Sequence, residues 1–161
     1  MNIFIFKKIL NKMKINNRKG FTLIEILVVI AIVGLLSTLA TSAFGSARSK
    51  SRDTKRLNDI KQIQNSLELF YSDWEYYPTS TGIILGNDDY NCLAAPGFMP
   101  AVSCPVKYYM NGVPKDPFNG QYIYYGDIKS YEIVFTLESG SGGYGAGIVT
   151  ATPAGLQGIK Q

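Results

Sequence analysis

Between Phe21 and Ala47 the chain is apolar at most positions, and its single charged side chain there is Glu25. About 27 residues of helix at 1.5 Å each would extend about 40 Å, more than the roughly 30 Å of a bilayer's hydrocarbon core. The run predicts a membrane-spanning helix. From Ser46 to Tyr77 the pattern becomes polar with an apolar stripe, Leu57, Ile60, Ile63, Leu67, Phe70, Trp74 and Tyr77, stepping by three or four. That spacing is one face of an amphipathic helix suited to cover a small sheet. No proline stands between Phe21 and Pro78, so both parts read as one continuous helix. It should end at Tyr77, because the residue before a proline is pushed out of helical geometry.

Beyond the helix the periodicity changes. From Pro78 to Pro117, glycine, proline, asparagine and aspartate punctuate short apolar pieces, which reads as loop. Two apolar-aromatic runs, Gln121 to Tyr125 and Tyr131 to Leu137, flank a turn at residues 126–130 and predict a hairpin. A third strand is expected at Gly147 to Ala151, across a flexible linker Ser139-Gly140-Ser141-Gly142-Gly143. The fold class is α+β: a long N-terminal helix, half transmembrane and half amphipathic, packed against an antiparallel sheet of three or four strands.

Charge changes the picture once it is divided along the chain. The 161 residues carry a formal charge of +4. Six of the sixteen basic residues (Lys7, Lys8, Lys12, Lys14, Arg18 and Lys19) precede Phe21, whereas all twelve acids follow it. The chain from Phe21 onward is therefore slightly acidic, which disfavours a nucleic-acid partner. The basic run from Arg48 to Lys61, balanced by Asp53 and Asp59, reads as a solvated face or a lipid-headgroup contact. Histidine is absent, no serine or cysteine nucleophile stands beside a usable base, and the glycines at 140–147 precede no helical pattern. The constellations of hydrolases and nucleotide-binding loops are therefore missing, and the reading is not an enzyme.

One junction is more specific. Arg18-Lys19 is followed by Gly20, then by Phe21-Thr22-Leu23-Ile24-Glu25 and the long apolar run. This string resembles the class III signal of type IV pilins and type II secretion pseudopilins. The resemblance implies that a membrane prepilin peptidase cuts between Gly20 and Phe21 and that the new Phe21 amine is N-methylated. It also implies that Glu25 pairs with the Phe21 amine of a neighbouring subunit in a filament. Physics agrees with that pairing, since a carboxylate at the start of a membrane helix costs roughly 3 kcal/mol if it stays charged at depth. Plainer readings stand beside it. Glu25 can simply favour a helix N-terminus, an effect of about 0.3–1 kcal/mol. A general secretory signal could instead be cut after the apolar run, near Ala40-Thr41-Ser42 or Ser46-Ala47. A start at Met13 would leave the short leader MKINNRKG usual in the family. The family often has a proline where Ser42 stands here, with Gly34 and Gly45 as the remaining weak points of the helix.

The resemblance divides the chain into a leader (1–20), a transmembrane or filament-core helix (21–47), an amphipathic helix (48–77) and a globular loop-and-sheet domain (78–161). Val113-Pro114-Lys115-Asp116-Pro117 and Tyr122-Ile123-Tyr124 resemble the VPxDP and YxY elements of pseudopilin globular domains. In such an exported domain the pair Cys92 and Cys104 reads as a disulfide, with two free thiols as the alternative. Some major pseudopilins bind calcium in this part of the fold. Asp88, Asp89, Asp116 and Asp127 are candidate ligands, but their spacing favours turn-formers with solvated carboxylates, and no cofactor is assigned.

The implied function is that of a structural subunit polymerising into a type IV pilus-like filament through its N-terminal helix. The nearest alternative is a pseudopilin of a type II secretion system or a competence pseudopilus. A second is a monomeric membrane-anchored binding domain. Implied partners are copies of itself, the prepilin peptidase/N-methyltransferase, an inner-membrane assembly platform with its ATPase, and membrane lipid before assembly. Nucleic acid would enter only with a competence role. The implied location is a single-pass cell membrane protein, N-terminus cytoplasmic and C-terminal domain extracytoplasmic, and then an extracellular or periplasmic filament.

Overall fold

The computed structural model describes residues 20–160, and the chain divides into two compact units, Met1–Thr41 and Ser42–Gln161. One helix, α1 (Leu23–Trp74), contributes to both. In the first unit its start is a capping box. The Glu25 N–H donates to the Thr22 hydroxyl at 3.3 Å, and the Thr22 N–H donates back to Glu25 Oε2 at 2.8 Å. Farther along, the Ser37 and Thr38 hydroxyls donate to the carbonyls of Val33 and Leu35 at 2.7 and 2.8 Å. Their polar atoms are thus satisfied within the helix, and none needs water.

In the second unit, α1 buries Ile60, Ile63, Leu67 and Phe70 in the core, with Leu57 half-buried beside them. This is the stripe expected from the sequence as far as Phe70, but Trp74, expected on the same face, is 46% exposed, and the helix stops there, three residues before its expected end. Glu75 takes a left-handed φ of 62°, and its N–H closes the last turn on the Tyr71 carbonyl at 2.7 Å. The early stop frees Tyr77 to turn inward, where its ring meets Tyr131 edge-on with centroids 4.9 Å apart. Its hydroxyl donates to the Glu68 carboxylate at 3.1 Å.

Eight strands follow: β1 (Ser80–Ile84), β2 (Cys92–Ala94), β3 (Gly97–Met99), β4 (Met110–Asn111), β5 (Ile123–Gly126), β6 (Tyr131–Leu137), β7 (Tyr144–Thr152) and β8 (Gly155–Lys160). They form a five-stranded antiparallel sheet in the order β1-β5-β6-β7-β8 and a three-stranded one in the order β3-β2-β4. The expected β5–β6 hairpin is present in the register Tyr124↔Ile133, and β6 alternates cleanly, with Tyr131, Ile133, Phe135 and Leu137 buried. The third expected strand is the centre of β7.

The main sheet exceeds the expected three or four strands because both of its edges lie in segments without a period-two signal. β1 is bulged between Thr81 and Ile83, at Gly82 with φ 125°, and β8 carries glycines at 155 and 158 and shows no alternation of buried and exposed positions. The segment from Pro78 to Pro117 is likewise more than loop, since it holds β1 to β4. The Cys92 and Cys104 sulfurs are bonded, with Cα atoms 5.9 Å apart, tying β2 to the 3₁₀ turn Ala101–Ser103.

Candidate assembly segment and charge cluster

In the first unit, Gly20 and Phe21 precede α1 without regular structure, and none of the described residues lies within 4 Å of the position a Gly20 side chain would occupy. Phe21 is 84% exposed, and the apolar side chains that follow it are exposed all round the helix, Ile24, Leu27 and Leu36 among them. An 18-residue window of this helix reaches a mean hydropathy of 2.7, long and apolar enough to cross a membrane. Glu25 is the only acid in that surface, and its carboxylate is occupied by the N–H and hydroxyl of Thr22, each at 2.8 Å. Residues 1–19 of the expected leader, with the basic pair Arg18-Lys19 and the alternative start at Met13, lie outside the described residues.

The second unit holds a buried charge cluster that sequence reasoning did not find. Asp53 and Arg56 sit one turn apart on α1, with 0% and 2% of their surface accessible. Arg56 Nε donates to Asp116 Oδ2 at 2.6 Å and its Nη2 to Asp116 Oδ1 at 3.0 Å. Its Nη1 donates to Asp53 Oδ1 at 2.8 Å and to Glu138 Oε1 at 2.6 Å. A planar guanidinium with five donors in a fixed fork can hold three carboxylates in this way. Asp53 in turn accepts the N–H groups of Glu138, Ser139 and Gly140 at 2.8, 2.7 and 3.0 Å. Arg52 grips Glu138 with a second fork, Nε to Oε1 at 2.8 Å, and lies 4.7 Å over the Phe118 ring.

Burial pushes the Asp53 and Asp116 carboxyls up, but the hydrogen bonds outweigh it and hold both below their ordinary range. For Asp53 these come first from the backbone N–H groups of Glu138 and Ser139, for Asp116 first from Arg56. Glu138 falls to about 2, chiefly through Arg52. Arg56 is raised, first by its bonds to Asp116. Asp59 goes the other way: burial raises its carboxyl, and the Tyr122 hydroxyl donating at 3.1 Å offsets this only in part.

Three expectations are corrected here. Asp53 and Asp59 do not balance a solvated basic face, because both turn into the fold. Asp116 does form a turn, accepting the Phe118 and Gly120 N–H groups, but its carboxylate is not solvated, since the side chain is 3% exposed and paired with Arg56. Ser139 to Gly143 is not a flexible linker but a tight turn, with Gly140, Gly142 and Gly143 at φ 87°, 62° and 86° and Ser141 bridged to Tyr144. Left-handed φ values make glycine necessary there for geometry, not for looseness. The one sequence signal available was Asp116 inside the VPKDP element. Nothing in the sequence pairs it with Arg56, 60 residues away.

Comparison with known proteins locates this arrangement. Residues 15–41 match the model of the prokaryotic N-terminal methylation motif, and residues 44–149 match that of type II secretion system protein G. The chain belongs to the type II secretion protein G family. Core protein G of Vibrio cholerae is 30% identical over 142 residues, 83% of this chain and 90% of the relative. That of Escherichia coli is 31% identical over 110 residues, 67% and 72% of the two chains. The type IV major pilin PilA of Myxococcus xanthus is 30% identical over 59 residues, 37% of this chain and 27% of the pilin. No solved structure matches significantly.

This pseudopilin therefore carries Gly20, Phe21 and Glu25 inside its methylation-motif match, and the whole charge cluster inside its protein G match. The matches favour the secretion-type alternative over the pilus reading drawn first from the sequence. The family is one of structural pseudopilins. Cys92 and Cys104 pair as expected, and Asp127 forms a turn by accepting the N–H groups of Lys129 and Ser130 at 2.7 and 2.9 Å.

Proposed function

We propose that the chain is a subunit of a type II secretion pseudopilus. After cleavage between Gly20 and Phe21 and N-methylation of Phe21, the apolar helices of successive copies pack together, with Glu25 opposite a neighbour's Phe21 amine. Before assembly, the segment 21–47 anchors the chain in the cell membrane, N-terminus inside and globular domain outside. The observation carrying this reading is an apolar helix exposed on all sides with one carboxylate near its start. In lipid alone that carboxylate lacks an opposite charge. Between copies, two opposite charges in a low-dielectric core satisfy each other, whereas either alone would be a buried unpaired ion.

The test separates assembly from insertion. In Glu25→Ala, membrane insertion and leader cleavage are expected to persist, while cross-linked multimers and secretion of the system's exoproteins fall together. Normal multimers in that variant would remove the charge-pairing argument. Full secretion with long surface filaments lost would instead favour the pilus reading, for which the partial likeness to a type IV major pilin speaks. A chain found only as an uncut monomer would favour a permanently anchored binding domain.

A further inference from the structure

Calcium is the ion that likeness to major pseudopilins implies for the loops of the globular unit, and the carboxylates present do not fit it. Calcium takes six to eight oxygens at about 2.3–2.6 Å, typically several from carboxylates. Asp127 spends one oxygen on two backbone N–H groups of its own turn, and Asp88 and Asp89 are exposed on another turn. Among the described residues no three histidine, cysteine, aspartate or glutamate side chains are disposed to hold a metal.

The carboxylates that do converge, Asp53, Asp116 and Glu138, converge on Arg56, and each of their oxygens is already taken. Asp116 Oδ1 accepts Arg56 Nη2 and the N–H groups of Phe118 and Gly120 at 2.9 and 3.0 Å, while Oδ2 accepts Arg56 Nε. Asp53 Oδ1 accepts Arg56 and the Glu138 N–H, and Oδ2 accepts Ser139 and the Gly140 N–H. Both Glu138 oxygens accept Arg52, one of them Arg56 as well. A metal would have to displace a buried guanidinium that does not lose its proton.

We propose that this chain supplies the organising cation of its globular unit itself: Arg56, gripped by Asp53, Asp116 and Glu138, ties the 116–120 loop and the β6–β7 turn to α1, and these loops are held without a divalent metal. The assignment concerns residues 42–161 alone and does not depend on the filament reading. Mixed charges brought together from three segments do here what a bound ion does elsewhere. They neutralise the carboxylates that orient two loops.

Thermal unfolding of the full-length chain in detergent, in millimolar calcium and in excess EGTA, tests this directly. The midpoint is expected to be the same in both. A calcium ion at 100 times its dissociation constant would raise the midpoint by about 10 °C, and a rise of that kind overturns the proposal. Amide exchange gives the second readout. Arg56→Lys keeps the charge but loses the fork, so the amides of Phe118, Gly120, Ser139 and Gly140 should exchange faster while those of β5 and β6 stay protected. EGTA should leave all of them protected in the unsubstituted chain. Faster loop exchange in EGTA, or unchanged loop exchange in Arg56→Lys, would equally refute it.

Discussion

Asp53 is the residue on which the β6–β7 turn depends. Its two oxygens receive three backbone N–H groups, the Ser139 hydroxyl and one arm of Arg56. Every buried side-chain nitrogen or oxygen among the described residues has such a partner. Asp53→Asn would keep the shape but replace one of the two accepting oxygens with an NH2 donor and remove the charge that faces Arg56. Breaking a buried pair from one side costs about 3 kcal/mol or more, so the melting midpoint should fall by at least roughly 10 °C. The pH dependence follows from the same residues. Asp53, Asp116 and Glu138 have folded values below their unfolded ones, so their stabilisation is complete above the ordinary carboxylate range and lost as pH falls through the folded values. For Glu138 that window runs from 4.5 down to about 2. Asp59, with its raised carboxyl, opposes this by relieving a penalty as it protonates. Three groups against one predict net acid destabilisation below about pH 4.5, read as a falling midpoint in a pH series, and Glu138→Gln should flatten the lower part of that curve.

At the scale of elements, β6 is the strand that joins the hairpin to the rest of the sheet. It pairs with β5 on one side and β7 on the other, and its four inward residues face the α1 stripe across one core. Phe135, 1% exposed and edge-on to Tyr122 at 6.3 Å, fills the middle of that layer. Phe135→Ala should cost about 3–5 kcal/mol, measured as a loss of stability in denaturant titration of the full chain. Strands β5 and β6 were legible because alternation survives wherever one face is buried and the other is wet. The edges β1 and β8 were not, since an edge strand with a glycine bulge needs no strict pattern to pair on one side only. The end of α1 was misplaced for a related reason. Proline at 78 disfavours helix at Tyr77, but the chain leaves earlier, at Glu75 with φ 62°, and the Tyr77 ring packs edge-on against Tyr131.

For the molecule as a whole, the two units answer to different solvents. The first presents apolar side chains outward, and the second gathers them inward against a helix face. If Gly20 is the residue read by the peptidase, Gly20→Leu should leave the leader in place, seen by mass as a precursor about 20 residues heavier with membrane insertion intact. Normal trimming of that variant would move the cleavage site elsewhere.

The long helix, its membrane-length apolar run, the lone carboxylate and the α+β class were all determined by local order along the chain. Periodicity and the string from Arg18 to Glu25 are properties of neighbours in sequence, and burial of one face selects the periodic positions one by one. The charge cluster was decided only by the tertiary structure. A guanidinium on α1, an aspartate 60 residues on and a glutamate 82 residues on have no common spacing, so nothing in the linear order distinguishes them from surface charges. Folding brings them into a space with little water, where each charge is costly unless the others are present. That mutual requirement exists only in three dimensions.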